Sequence, residues 1–185
     1  MKKPLILAAM VLFAACGGNA PTITNDSTQA KTDSTAMMRP IQSPYPIMYS
    51  SSFAMDDPKN AESVLAFWKA YDKGDFSGAK DIFADTFEIH LSAGMVMRAS
   101  RDSSIAAAQA YRNNYASVVS DVNAIMAVKS TDKNEHWVLI WGREKDIPKK
   151  GKADSVFLQE TWRFNAAGKA DLMYSFAEQP QPPKK

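Results

Sequence analysis

Val64-Leu65-Ala66-Phe67-Trp68-Lys69-Ala70-Tyr71-Asp72-Lys73-Gly74-Asp75-Phe76-Ser77-Gly78-Ala79-Lys80-Asp81-Ile82-Phe83-Ala84-Asp85 is the stretch whose reading decides the fold. With Ala61 just upstream, the residues Ala61, Val64, Leu65, Trp68 and Tyr71 recur at helical spacing and make one apolar stripe. Asp57-Pro58 opens that helix with a capping side chain and a proline in the first turn, where no N–H is needed. Gly74 closes it. Asp75 is then placed to cap a second, short helix with Phe76, Ala79, Ile82 and Phe83 on its buried side.

Past Asp85 the period changes from helical to two. Phe87, Ile89 and Leu91 alternate with Glu88, His90 and Ser92, which predicts a half-buried strand turning near Ala93-Gly94 and returning through Met95, Val96 and Met97. A third helix is expected from Asp102 to Ser104 onward, with Ile105, Ala108, Tyr111, Tyr115 and Val118 on one face. Three strands and their turns follow: Val122 to Val128, a turn at Thr131 to Asn134, a longer strand from Trp137 to Ile147 apolar on both faces, and Val156 to Phe164. Asn165-Ala166-Ala167-Gly168 makes the last hairpin into Leu172 to Ala177. The expected class is α+β, a cone-shaped, curved antiparallel sheet wrapped around three N-terminal helices.

These residues carry a resemblance. Val64 to Asp75 followed by Phe76 to Asp85 resembles the helix, Gly-Asp turn and Leu-Phe-Ala-Asp segment of the nuclear transport factor 2-like superfamily, which includes ketosteroid isomerase and SnoaL-like cyclases. The run Trp162-Arg163-Phe164-Asn165-Ala166-Ala167-Gly168-Lys169 is similar to that superfamily's late strand and hairpin. The resemblance implies a cone with a pocket inside, often dimeric through the sheet, and implies no single activity. Aligned on Gly74-Asp75, the isomerase's oxyanion-hole tyrosine falls at Phe67 and its general-base aspartate at Leu91, neither of which can do that chemistry. Its second oxyanion-hole carboxyl has a counterpart in Glu160.

Alternation puts Glu160 with Val156, Leu158, Trp162 and Phe164 on the apolar face of its strand, where a carboxylate must be paired, wet or protonated. It is therefore a pocket acid facing a ligand, the partner of Arg143 or Arg98, or a residue that a strand bulge rotates outward. Phe67, Leu91 and Trp162 are the residues expected to line the same pocket, and His90 is the candidate second titratable group, although alternation places it on the polar face. The two histidines, His90 and His136, stand far apart, and the chain has a single cysteine, so no metal site, disulfide or cofactor is expected. Phosphate loops, nucleophile elbows and zinc-protease helix motifs are missing from the sequence.

The chain's beginning has a different logic. Lys2 and Lys3 precede an apolar run from Pro4 to Ala15, the order of a secretion signal. That run is about a dozen residues, shorter than the roughly 20 a spanning helix needs. Phe13-Ala14-Ala15-Cys16 resembles the lipobox of bacterial lipoproteins, which implies cleavage before Cys16 and a lipid on its sulfur. Residues 1–15 are thus read as a signal peptide, 16–52 as the lipidated cysteine and a disordered tether of Ser, Thr, Asn and Pro, and 53–185 as the domain. The expected location is the cell envelope, with the chain attached to a membrane and facing the periplasm.

Lys plus Arg number 22 against 20 for Asp plus Glu, and loss of Lys2 and Lys3 leaves 20 against 20. A neutral chain with scattered lysines offers no face for nucleic acid. The leading functional expectation is non-catalytic binding of a small apolar or amphipathic molecule. An isomerase, dehydratase or cyclase using Glu160, and a protein-interaction module, are the alternatives.

Overall fold

Asp57 Oδ1 accepts the Lys59 N–H at 2.9 Å and so starts the main helix, as its place beside Pro58 led one to expect. The computed structural model describes residues 41–178. The signal peptide, Cys16 and the Pro180–Lys185 tail lie outside the described residues, as does the tether up to residue 40. In chain order the elements are β1 (Phe53–Met55), α1 (Lys59–Lys73), β2 (Phe83–Leu91), β3 (Val96–Ser100), α2 (Arg101–Arg112), β4 (Tyr115–Ser130), β5 (Glu135–Pro148), β6 (Asp154–Phe164) and β7 (Ala170–Ala177). One seven-stranded sheet in the order β1-β4-β5-β6-β7-β2-β3 curves around α1. Among the described residues no helix is long and apolar enough to cross a membrane.

The α+β class and the curved sheet around the helices stand as expected, with three corrections. The stretch after Asp75 is not a second α-helix. Asp75 Oδ1 accepts the Ser77 N–H, Gly78 follows, and only a 3-10 turn at Ala79–Asp81 forms before the chain enters β2. The helix after Ser100 stops at Arg112, because Asn114 Nδ2 donates to the carbonyls of Ala110 and Tyr111 and the β-branched run beyond favours a strand. Tyr115 and Val118 accordingly lie on β4. Finally, the sheet is not wholly antiparallel, since β2 runs parallel to β7 from Glu88↔Leu172 to Leu91↔Ser175.

Alternation along each strand sends one row of side chains to the concave face, where α1 packs. Val64, Phe83, Phe87, Val138, Ile140, Trp162 and Phe164 form the buried centre. Phe67, Phe83, Phe87 and Trp162 pack ring against ring, with centroids 4.6 to 6.0 Å apart. Trp162 and Phe67 were expected to border a mixed cavity; the base of the cone is instead filled by these rings, whose edge-to-face contacts favour close packing.

Arg112 fastens the end of α1 to the sheet. Buried, it donates from Nε to the Tyr71 carbonyl at 2.7 Å, from Nη2 to Asp72 O at 2.9 Å and from Nη1 to Tyr115 O at 3.0 Å. The cation thus adds a donor to the Tyr71 carbonyl, which also accepts the Gly74 N–H, and supplies one to the Asp72 carbonyl at the helix end. At the opposite end the chain before β1 is already attached. Trp137 Nε1 donates to Tyr49 Oη at 3.1 Å, the Ser52 carbonyl accepts the Thr131 N–H at 2.9 Å, and Ser50 Oγ donates to Asp132 Oδ1. Attachment therefore begins by Tyr49.

Candidate functional site

Trp68 sits one turn before the end of α1 and points into the concave face, where it meets Glu160 in the middle of β6. Trp68 Nε1 donates to Glu160 Oε2 at 2.8 Å, and Trp162 Nε1 donates to the same oxygen at 2.9 Å. Ser175 Oγ, directly across the β6–β7 ladder, reaches Oε1 at 3.4 Å. Glu160 is buried, and desolvation pushes its carboxyl above the ordinary range against the pull of the two indoles and the serine. Among the described residues no arginine joins it. Arg143 donates to Ser155 and lies over the Phe157 ring, and Arg98 pairs with Glu88 at 4.0 Å. The ion-pair reading of Glu160 is corrected: its partners are indole and hydroxyl donors.

Past Glu160, toward the hairpin that joins β5 to β6, the concave-face residues Leu158, Glu144, Val156 and Asp146 are half-buried. Register places Leu158 beside Gly142, Val156 beside Glu144 and Asp154 beside Asp146, and on the other side Ser120 beside Glu144 and Val118 beside Asp146. Asp72, at the end of α1, accepts from Ser120 Oγ at 2.8 Å. Tyr71 and Tyr115 flank the carboxylates, and Tyr115 Oη donates to Tyr111 Oη at 2.9 Å.

The carboxyls of this mouth hold a proton. Burial pushes Glu144 up to about 8, and the neighbouring Asp146 adds to the effect both by its charge and by a hydrogen bond to Glu144; Glu160 and Asp72 add less. Burial also raises Asp146. Raised to about 8, the Glu144 carboxyl retains its proton at neutral pH, so the group can donate as well as accept. The phenols of Tyr71 and Tyr115 are pushed far up, chiefly by desolvation, and stay neutral.

The other expected site residues divide between the two faces. Phe67, Trp162 and Glu160 meet in the core, and Leu91, half-buried, pairs with Ser175 on the concave side. His90 does not join them. It lies on the convex side, 2.6 Å from Glu88 Oε1 and with its ring 4.7 Å from that of Tyr174. The residues that sequence reasoning passed over are Glu144, Asp146 and Asp72. Their signal was legible in part, because Ile140, Gly142, Glu144 and Asp146 alternate and so share one face of β5. Among the described residues no group of three or more His, Cys, Asp and Glu is arranged to hold a metal ion.

No family model and no curated protein matches the chain in sequence. Solved structures do match its fold. An LEH-like epoxide hydrolase from M. tuberculosis superposes with a TM-score of 0.54 at 12% identity, over 65% of this chain and 83% of its own. A protein described as a SnoaL-like polyketide cyclase from Shewanella denitrificans gives 0.54 at 12%, over 66% and 92%. An NTF2-like protein from Anabaena variabilis gives 0.54 at 9%, over 69% and 96%. The chain therefore has the nuclear transport factor 2-like fold that its sequence resembled. At such identities the likeness speaks for the fold, and the names of the neighbours cover more than one chemistry.

Proposed function

We propose that this chain is a lipid-anchored envelope protein whose cone takes up a small amphipathic molecule at its mouth and does no covalent chemistry on it. The observation that carries the reading is that Glu144 and Asp146 share one face of β5 beside half-buried Val156 and Leu158, so that apolar and carboxyl-bearing surfaces adjoin on the concave face. An apolar body would lie over Val156, Leu158 and the edge of Trp68, and a hydroxyl or amine end would meet the carboxyls. Glu160 serves this site from beneath. Its acceptor oxygen is occupied by Trp68 and Trp162, so its part is to hold the floor in place.

A second reading has an observation of its own. A carboxyl with a pKa of about 8 is poised for proton transfer near neutral pH, so an isomerase or dehydratase would use Glu144 as its acid and base in place of Glu160. The two readings part under native mass spectrometry of the mature protein purified from its own envelope. Binding predicts a copurified small molecule, released intact, that is lost in Glu144→Leu. Turnover predicts a chemically altered product. Absence of any adduct from wild type and variant alike would remove the binding reading.

A further inference from the structure

Between residues 41 and 55 the chain exposes a concentration of apolar side chains that its fold does not use. Ile41 is 62% exposed, Tyr45 78%, Met48 91% and Met55 75%, with Ile47 and Phe53 also outward. Soluble proteins show such residues scattered singly; here seven, Tyr49 among them, fall within fifteen positions. The segment is set out in a defined shape. Pro44 and Pro46 restrict the backbone, Ser43 Oγ accepts the Tyr45 N–H at 3.1 Å, and beyond Met48 the chain is fastened by Tyr49 to Trp137 and by Ser50 and Ser52 to the Thr131–Asn134 turn. Apolar side chains on a fixed strap lose little freedom on meeting a partner surface.

We infer that this strap, centred on Tyr45, Ile47 and Met48, rests on a lipid bilayer. The choice of occupant follows from where the chain leads: Ile41 stands 25 residues after Cys16, the residue read as lipid-modified, so the bilayer is close to this segment before any other. The inference rests on that lipid-anchor reading. The anchor holds one point of the chain at the membrane, and an apolar contact at a second point would bring the domain itself to the surface. Tyrosine and methionine suit the interface, one with an apolar ring and a polar tip, the other with a flexible apolar chain. The ligand site would stay clear of the lipid. The strap is fastened at the Ser130 end of β4, whereas Glu144 pairs with Ser120, about 30 Å further along at roughly 3.3 Å per residue.

The test uses the mature chain, Cys16–Lys185, made without its signal and hence unacylated, sedimented with vesicles of phosphatidylethanolamine and phosphatidylglycerol at 0.1 M and 0.5 M salt. Binding that survives high salt and falls at least tenfold in the triple variant Tyr45→Ser, Ile47→Ser, Met48→Ser supports the strap. All three side chains are exposed, and an unchanged thermal transition in the variant confirms an intact fold. No binding by wild type, binding abolished by salt, or equal binding by the variant overturns the inference. So does a wild-type dimer in ultracentrifugation that the variant loses while vesicles are ignored, since the strap would then cover a second copy. Detergent partition of the full chain from its own cells tests the anchor separately. If the protein partitions into detergent but the unacylated chain ignores vesicles, the strap fails and the anchor stands.

Discussion

The ring of Trp68 lies against the bare backbone of Gly142: a Cβ there would come within 2.6 Å of Trp68 Cζ3 and 2.8 Å of the Asp121 carbonyl oxygen. Glycine at this place in β5 is what lets α1 approach the sheet closely enough for the Trp68 indole to reach Glu160. Gly142→Ala should therefore cost about 2 kcal/mol or more through overpacking, against the small gain an alanine would bring to an open strand. Urea unfolding checks it. A variant as stable as wild type would show that the helix and strand are not in contact as described.

Glu160 yields an ordered series. Glu160→Gln keeps an oxygen for the two indole N–H groups and removes a carboxyl that burial disfavours in its charged form, so stability at pH 7 should change by less than about 1 kcal/mol. Glu160→Ala strands two buried donors and opens a hole, and should cost roughly 3 kcal/mol or more. Thermal denaturation of the pair decides it. A Gln variant as damaged as the Ala variant would mean that a cation, and not two indoles, faces the carboxyl.

Much of this arrangement was legible before any coordinates. The Ala61, Val64, Trp68 stripe, the Gly74 stop and the Val156 to Phe164 alternation led to the right helix, the right strand and a buried Glu160. What sequence could not say was which donors meet that carboxyl, because Trp68 lies 92 residues away and the contact depends on the absent side chain of Gly142. The filling of the cone's base is hidden from sequence for a related reason. Phe67, Phe76, Phe83 and Phe87 look alike whether they line a hole or fill it, and only their mutual packing shows that they fill it. The third helix was carried too far because Tyr115 and Val118 fit the helical spacing of Ile105, Ala108 and Tyr111, and the two asparagines that end α2 weigh little in a periodicity count.

Arg112 should behave as a structural cation. Arg112→Met removes three hydrogen bonds to backbone carbonyls while keeping most of the apolar stem, and should cost roughly 3 kcal/mol with the end of α1 loosened first. Hydrogen exchange would show this as lost protection at Tyr71 to Gly74 with the Val64 turn unaffected. Uniform loss across α1 would argue against a local fastening.

The pH dependence of stability has a fixed sign. Glu144 titrates near 8 in the folded protein and near 4.5 when unfolded, so the native state holds a proton that the unfolded chain releases between these values. Its contribution to stability is complete below about 4.5 and is lost as pH rises through 8, with a slope of at most about 1.4 kcal/mol per pH unit. Asp146, also raised, acts in the same direction. Urea midpoints at pH 5 and pH 8 should fall with rising pH in wild type and differ less in Glu144→Gln. A wild-type protein that gains stability from pH 5 to pH 8 would contradict the shared proton.

The proposed mouth is tested most directly by the indole N–H signals of the four tryptophans in a nitrogen-correlated NMR spectrum, followed while dodecylamine, dodecanol and dodecanoate are added in turn. Trp68 and Trp162 report on the floor at Glu160, whereas Trp137 and Trp141 alternate with Val138, Ile140 and Gly142 and so face the convex side. Binding at the carboxyl-lined mouth predicts saturable shifts of the Trp68 signal with the amine and the alcohol, weaker or no shifts with the carboxylate, and loss of the effect in Glu144→Leu. Shifts confined to Trp137 and Trp141, or a Trp68 response strongest with dodecanoate, would contradict it.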